Sequence, residues 1–121
     1  VRYNETVTDH FEHPRNCGSL ADATVVGEAS NPVCGDRLKL YLRVDDAGRI
    51  EAATFQAQGC PAAIAAGSMT TVLLVGKDVA AARALRDADV AAALGGLPAS
   101  KLHCSVLAED AIVAALGSTA S

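Results

Sequence analysis

The sequence predicts an α+β fold in which a three-stranded antiparallel sheet carries helices packed on one face. Three observations lead there. Leu38, Leu40, Leu42 and Val44 alternate with Lys39, Tyr41, Arg43 and Asp45, the period-two pattern of a strand with one buried face. Asp45, Asp46, Ala47 and Gly48 then supply turn chemistry and Ile50 to Gln58 continues extended, so the two runs form a hairpin. From Pro61 the texture changes to Ala, Ile, Met, Leu and Val, and strands followed by helices is the order of an α+β domain.

Taken in order, Tyr3 to His13 carries Val7 and Phe11 at helical spacing and then meets Pro14, which predicts a short helix. Arg15, Asn16, Cys17, Gly18 and Ser19 form a turn-rich stretch leading into an extended run from Thr24 to Ala29, the third strand. Pro61 at a first helical position opens a buried helix that runs to Gly76 and Lys77. Val79 to Leu85 and Asp89 to Leu94 read as two short helices separated around Asp87 to Asp89, and Gly95, Gly96, Leu97 and Pro98 break the chain again. In the last helix Cys104, Leu107, Ala108, Ala111, Ile112 and Ala115 share one face, and Gly117 stops it. The tail from Gly117 to Ser121 reads as disordered, and the whole of 1–121 as a single domain.

Half of the 121 residues are apolar, yet there is no Trp and only two Phe and two Tyr, so the core is built from small and aliphatic side chains and its elements approach closely. A net charge of -4 offers no basic face for nucleic-acid phosphates. No apolar run reaches the roughly 20 residues of a membrane span, and the first residues lack the apolar segment of a signal peptide. A cytoplasmic protein that binds neither nucleic acid nor membrane is expected. Four cysteines spread through a chain of this size, with no secretory signal, point to thiol or metal chemistry rather than to disulfides.

Three of those cysteines stand at element junctions. Cys34 lies in the turn-forming Asn31 to Asp36, with Asp36 two residues on; Cys60 lies between the second hairpin strand and the buried helix; Cys104 opens the last helix, just after Lys101 and His103. Helix N-termini and nearby cations favour thiolate over thiol, which is expected at Cys60 and Cys104. The three are too far apart in sequence for a zinc knuckle, so a shared site requires the fold to assemble it. Three thiolates with Asp36 or His103 as a fourth ligand would suit zinc or one face of an iron-sulfur cluster. Singly, Asp36 serves equally as a turn residue and His103 as an ordinary histidine; joint placement is what marks them. Cys17, with no helix N-terminus or carboxylate beside it, is read as a plain thiol, and His10 and His13 as solvated. Glu109 and Asp110 are assigned to helix-dipole stabilisation. A cysteine hydrolase using Cys60 or Cys104 with His103 and Asp36, and a purely structural zinc domain, are the competing readings.

Together, Asp9 to Asn16, Cys34-Gly35-Asp36, Gly59-Cys60 and His103 to Ala111 resemble the IscU/NifU N-terminal family of iron-sulfur cluster assembly scaffolds. The resemblance implies an IscU/SufE-like fold and a scaffold or carrier rather than an enzyme. Such a scaffold takes sulfur from a cysteine desulfurase and iron from an iron donor. It assembles a labile [2Fe-2S] cluster and hands it to acceptor proteins. It further implies Cys34, Asp36, Cys60, His103 and Cys104 as cluster-binding residues, Zn2+ as an alternative metal there, and Cys104 as persulfide acceptor. A DnaK-class chaperone is a further family partner; Leu97, Pro98, Ala99, Ser100 and Lys101 keep the outline of its recognition motif, altered at Ala99 and Ser100. Pro61 stands where the family usually has Gly or Ala. The stretch between Cys60 and Cys104 lacks the insertion of the SufU branch, whose zinc-dependent sulfur-acceptor (sulfurtransferase) activity is the alternative.

Overall fold

The alternating leucines form the middle of the sheet. In the computed structural model, which describes residues 3–31 and 35–117, β1 (Val25–Asn31), β2 (Asp36–Val44) and β3 (Ile50–Gln58) pair antiparallel in the order β1-β2-β3. Leu38, Leu40 and Leu42 are completely buried, as period-two spacing requires. The opposite face holds polar pairs: Tyr41 donates to Gln56 Oε1 at 2.6 Å, and Arg43 reaches both Asp22 and Glu51. On β3, Ile50, Ala53 and Phe55 are all buried although the first two are three residues apart. The register explains this, because Arg43 pairs with Ala52 and Val44 with Ile50, so Glu51 is an extra residue that flips the parity of the strand. The turn before β3 is held by Asp45 Oδ1, which accepts from the backbone of Ala47 and Arg49 at 2.9 Å.

Helices cover the leucine face. Pro61–Leu74 (α2) is buried almost all round, and Gly67 lets it reach the sheet: a Cβ there would stand 2.6 Å from the Phe55 ring. The last helix, His103–Leu116 (called α5 below), does the same over β1, where a side chain on Gly27 would run into the backbone of Ala111 and Ala115. Its buried face is the one the spacing predicts, from Cys104 through Leu107, Ala108, Ala111 and Ile112 to Ala115. Glu5–Glu12 (α1) packs on α2; Asn4 caps it by accepting from Val7 N at 2.9 Å and ties it across the molecule by donating to Leu94 O at 3.0 Å. Val79–Arg83 (α3), Asp87–Ala93 (α4) and a single 3₁₀ turn at Ala99–Lys101 complete the order. Among the described residues no helix is long and apolar enough to cross a membrane. Beyond Gly117, the expected tail lies outside the described residues.

Three expectations are corrected. His10 is buried, not solvated, because its Nδ1 lies 2.7 Å from Ser68 Oγ on α2; His13 is exposed as expected. Asp87 to Asp89 does not separate two helices but begins α4, with Asp89 Oδ2 accepting from Arg86 N at 2.8 Å. Glu109 and Asp110 are not in the first turn of α5, so the dipole does not explain them; Glu109 instead accepts from the backbone N of Asp87 at 2.6 Å and fastens α5 to the start of α4. Cys17 is exposed, and its neighbours line the outer edge of β3: Gly18 N donates to Phe55 O at 2.8 Å and Phe55 N to Asn16 O at 3.0 Å.

Candidate metal centre

Asp36 is the first residue of β2 and is 4 % exposed. The room for its carboxylate comes from Gly59, just past β3, where φ is +156° and any Cβ would collide with Asp36 Oδ1 and stand 2.7 Å from its Cγ. A glycine immediately before Cys60 is therefore a condition for carboxylate and thiol to meet. Cys60 is the N-cap residue of α2, with Pro61 behind it, and is half-buried. His103 and Cys104 are the first two residues of α5; Cys104 is completely buried and His103 partly so.

Four of the five site residues read from the sequence converge. Cys60 Sγ and Cys104 Sγ are 3.6 Å apart, and Asp36 Oδ2 lies 3.9 Å from the first and 4.0 Å from the second. His103 Nε2 is 3.6 Å from the same carboxylate oxygen. Donor atoms of Asp36, His103 and Cys104 all fall within 4.8 Å of one another, a span one metal ion can bridge. The fifth, Cys34, lies outside the described residues.

The electrostatics differ from expectation at Cys104. The start of α5 and the nearby Lys101 were expected to favour its thiolate. Instead burial pushes the thiol well above the ordinary range, and the hydrogen bond with Cys60 and the charges of Cys60 and Asp36 push the same way; Lys101 alone opposes. In the metal-free chain Cys104 is therefore a thiol, and a metal must displace its proton to bind. Two neighbouring residues, one of them outside the sequence reading, also feel the site. The Tyr3 hydroxyl is held above its usual pKa by burial and then by the charge on Cys60, and Lys101 is raised chiefly by Cys60. Nothing in the sequence near Tyr3 points toward the cysteines; Gly59, by contrast, is visible as one half of a Gly-Cys junction.

Two thiols, a carboxylate and an imidazole around one point form a mixed soft and hard donor set, suited to zinc or iron and to the iron atoms of a cluster. A family model described as NifU-like N terminal domain matches residues 2–119, nearly the entire chain. The chain belongs to the NifU-like N-terminal domain family. Among curated relatives, it is 50% identical over 110 residues to the iron-sulfur cluster assembly scaffold protein IscU 1 of Archaeoglobus fulgidus, covering 91% of this chain and 71% of that one. It is 49% identical over 117 residues to the iron-sulfur cluster assembly enzyme IscU of Drosophila melanogaster, covering 94% and 75%. With the scaffold protein IscU of Escherichia coli K12 it shares 46% over 119 residues, covering 96% and 92%. The fold of this NifU-like chain also matches solved structures: a SufU-type scaffold from Fervidobacterium islandicum (TM-score 0.72, 19% identity, covering 94% and 96%), and a NifU-like N-terminal protein from Brucella abortus (TM-score 0.60, 18% identity, covering 91% and 76%).

Proposed function

We propose that residues 1–121 form one scaffold domain on which an iron-sulfur cluster is assembled and from which it is released. The observation that carries this reading is the single carboxylate oxygen, Asp36 Oδ2, facing two thiols and an imidazole within 4.0 Å. The relatives named as IscU scaffolds at 46–50% identity support it. The cargo is a [2Fe-2S] cluster, held by Cys34, Cys60 and Cys104 with Asp36 or His103 as the further ligand, and Zn2+ is a substitute metal at the same donors. A hard carboxylate among thiolates weakens the hold on iron and suits a product that must leave. Cys104 accepts sulfur as persulfide from a cysteine desulfurase; iron comes from an iron donor, and the cluster passes to acceptor proteins, with a DnaK-class chaperone as helper through the altered motif at Ala99 and Ser100. The setting is cytoplasmic.

Anaerobic reconstitution with ferrous iron, sulfide and a reductant tests this directly. Visible cluster absorption with two irons and two sulfides per cluster is expected, lost on replacing Cys60 or Cys104 by Ala and made longer-lived by Asp36→Ala. A colourless product that retains zinc and stimulates a desulfurase would move the assignment to the zinc-dependent sulfur-acceptor alternative.

A further inference from the structure

The contact between Cys60 and Cys104 has a redox chemistry of its own. At 3.6 Å the two sulfurs touch with no atom between them, and both are fixed at helix starts, one capping α2 and the other at the second position of α5. Cys104 is sealed from solvent, whereas Cys60 is half-open. Cys17, the remaining described thiol, is exposed on the edge of β3 and takes no part. A sulfur delivered to Cys104 therefore has a second thiol already in contact with its point of attachment.

We propose that Cys60 and Cys104 are a dithiol redox pair in which Cys60 is the resolving residue, releasing sulfide from a persulfide on Cys104. This rests on the reading of Cys104 as the persulfide acceptor. The sulfur that Cys60 touches is Cys104 Sγ, the inner sulfur of such a persulfide. Attack there forms the Cys60–Cys104 bond and breaks the bond to the outer sulfur, which leaves as hydrosulfide. The outer sulfur gains two electrons, the two cysteines lose them, and the proton of Cys60, which faces Asp36 Oδ2 at 3.9 Å, leaves with the product as hydrogen sulfide. One thiol and one persulfide become one disulfide and one molecule of hydrogen sulfide, with no external electron donor for that turn. Closing the contact to bonding distance asks the sulfurs to approach by about 1.5 Å. The disulfide cannot ligate metal, so reduction by a dithiol must come before iron is held by this pair. Sulfide release and metal binding thus become ordered steps.

The test uses the metal-free chain, stripped of thiols and persulfidated with inorganic polysulfide. Wild type is expected to release one sulfide per persulfide and to end about 2 Da lighter than the reduced chain, with a mapped Cys60–Cys104 linkage. Cys60→Ser should hold the added sulfur on Cys104, about 32 Da heavier, and release sulfide at least about tenfold more slowly until a dithiol is added. Equal release from both forms would overturn the proposal. So would a linkage through Cys34, or migration of the outer sulfur to Cys60. If Cys104 takes no sulfur in either form, the persulfide reading itself has failed. One equivalent of hydrogen peroxide then judges the pair separately: two thiols and peroxide give a disulfide and two waters, and failure to form the Cys60–Cys104 linkage removes the redox pair as well.

Discussion

Two polar clusters lie among these helices, and they are built on opposite plans. Around Ser68 the groups are close and matched: its Oγ lies 2.7 Å from His10 Nδ1 and accepts from Arg15 N at 2.9 Å, while Arg15 Nη2 reaches Asp9 at 2.6 Å, with Nη1 left over. Around Asp36 the distances run from 3.6 to 4.0 Å and the donors are two thiols and an imidazole. Thiols are weak hydrogen-bond donors, so these contacts are longer and softer than those around Ser68. The first cluster fastens α1, and the strand-like segment after it, to α2 through short hydrogen bonds. The second brings soft and hard donor atoms close enough together to share one metal ion.

The sharpest way to separate the two is to remove one member of each. Cys104→Ala should weaken zinc binding by about a hundredfold or more, the scale of losing a ligand rather than its support, while the metal-free chain unfolds in urea close to the wild-type midpoint. Ser68→Ala should do the reverse. It leaves His10 Nδ1 and the Arg15 N–H without their partner, a loss of about 1–3 kcal/mol, with zinc affinity unchanged in a competition titration. If Ser68→Ala lowers zinc affinity as much as stability, the clusters are not separate devices.

How much of this the sequence discloses depends on how local the cause is. The Leu38 to Leu42 alternation, the Pro61 start of α2 and the buried face of α5 are local patterns, and the structure follows them. Cys60, Cys104, Asp36 and His103 were legible as junction residues, since loops at one end of a sheet gather there. The parity flip at Glu51 was not, because Ala52 and Ala53 are both small and apolar, and either could have faced the core. The burial of His10 has no local signal, because its partner, Ser68, stands 58 residues away. At Cys104 the helix start is local but its effect is outweighed by desolvation, which depends on depth, and depth is a tertiary property.

The smallest effect concerns pH and belongs to the cluster around Ser68. Burial holds His10 below its ordinary pKa, the Arg15 charge adds to this, and Asp9 opposes it. The folded chain thus binds fewer protons than the unfolded one once the unfolded histidine begins to titrate, near pH 6.5. The stability contributed by neutral His10 is complete above that pH and is lost as pH falls toward the lowered folded value; below it, both states carry the proton and the loss stops. Asp9, held low by its hydrogen bond to Arg15, titrates at more acid pH and does not blur this window. The urea midpoint of the metal-free chain should therefore drop between pH 7 and pH 5.5, and His10→Asn, which keeps a polar group of similar reach without the titration, should flatten that drop. Equal slopes in the two proteins would mean that protons act on the fold somewhere other than the contact between α1 and α2.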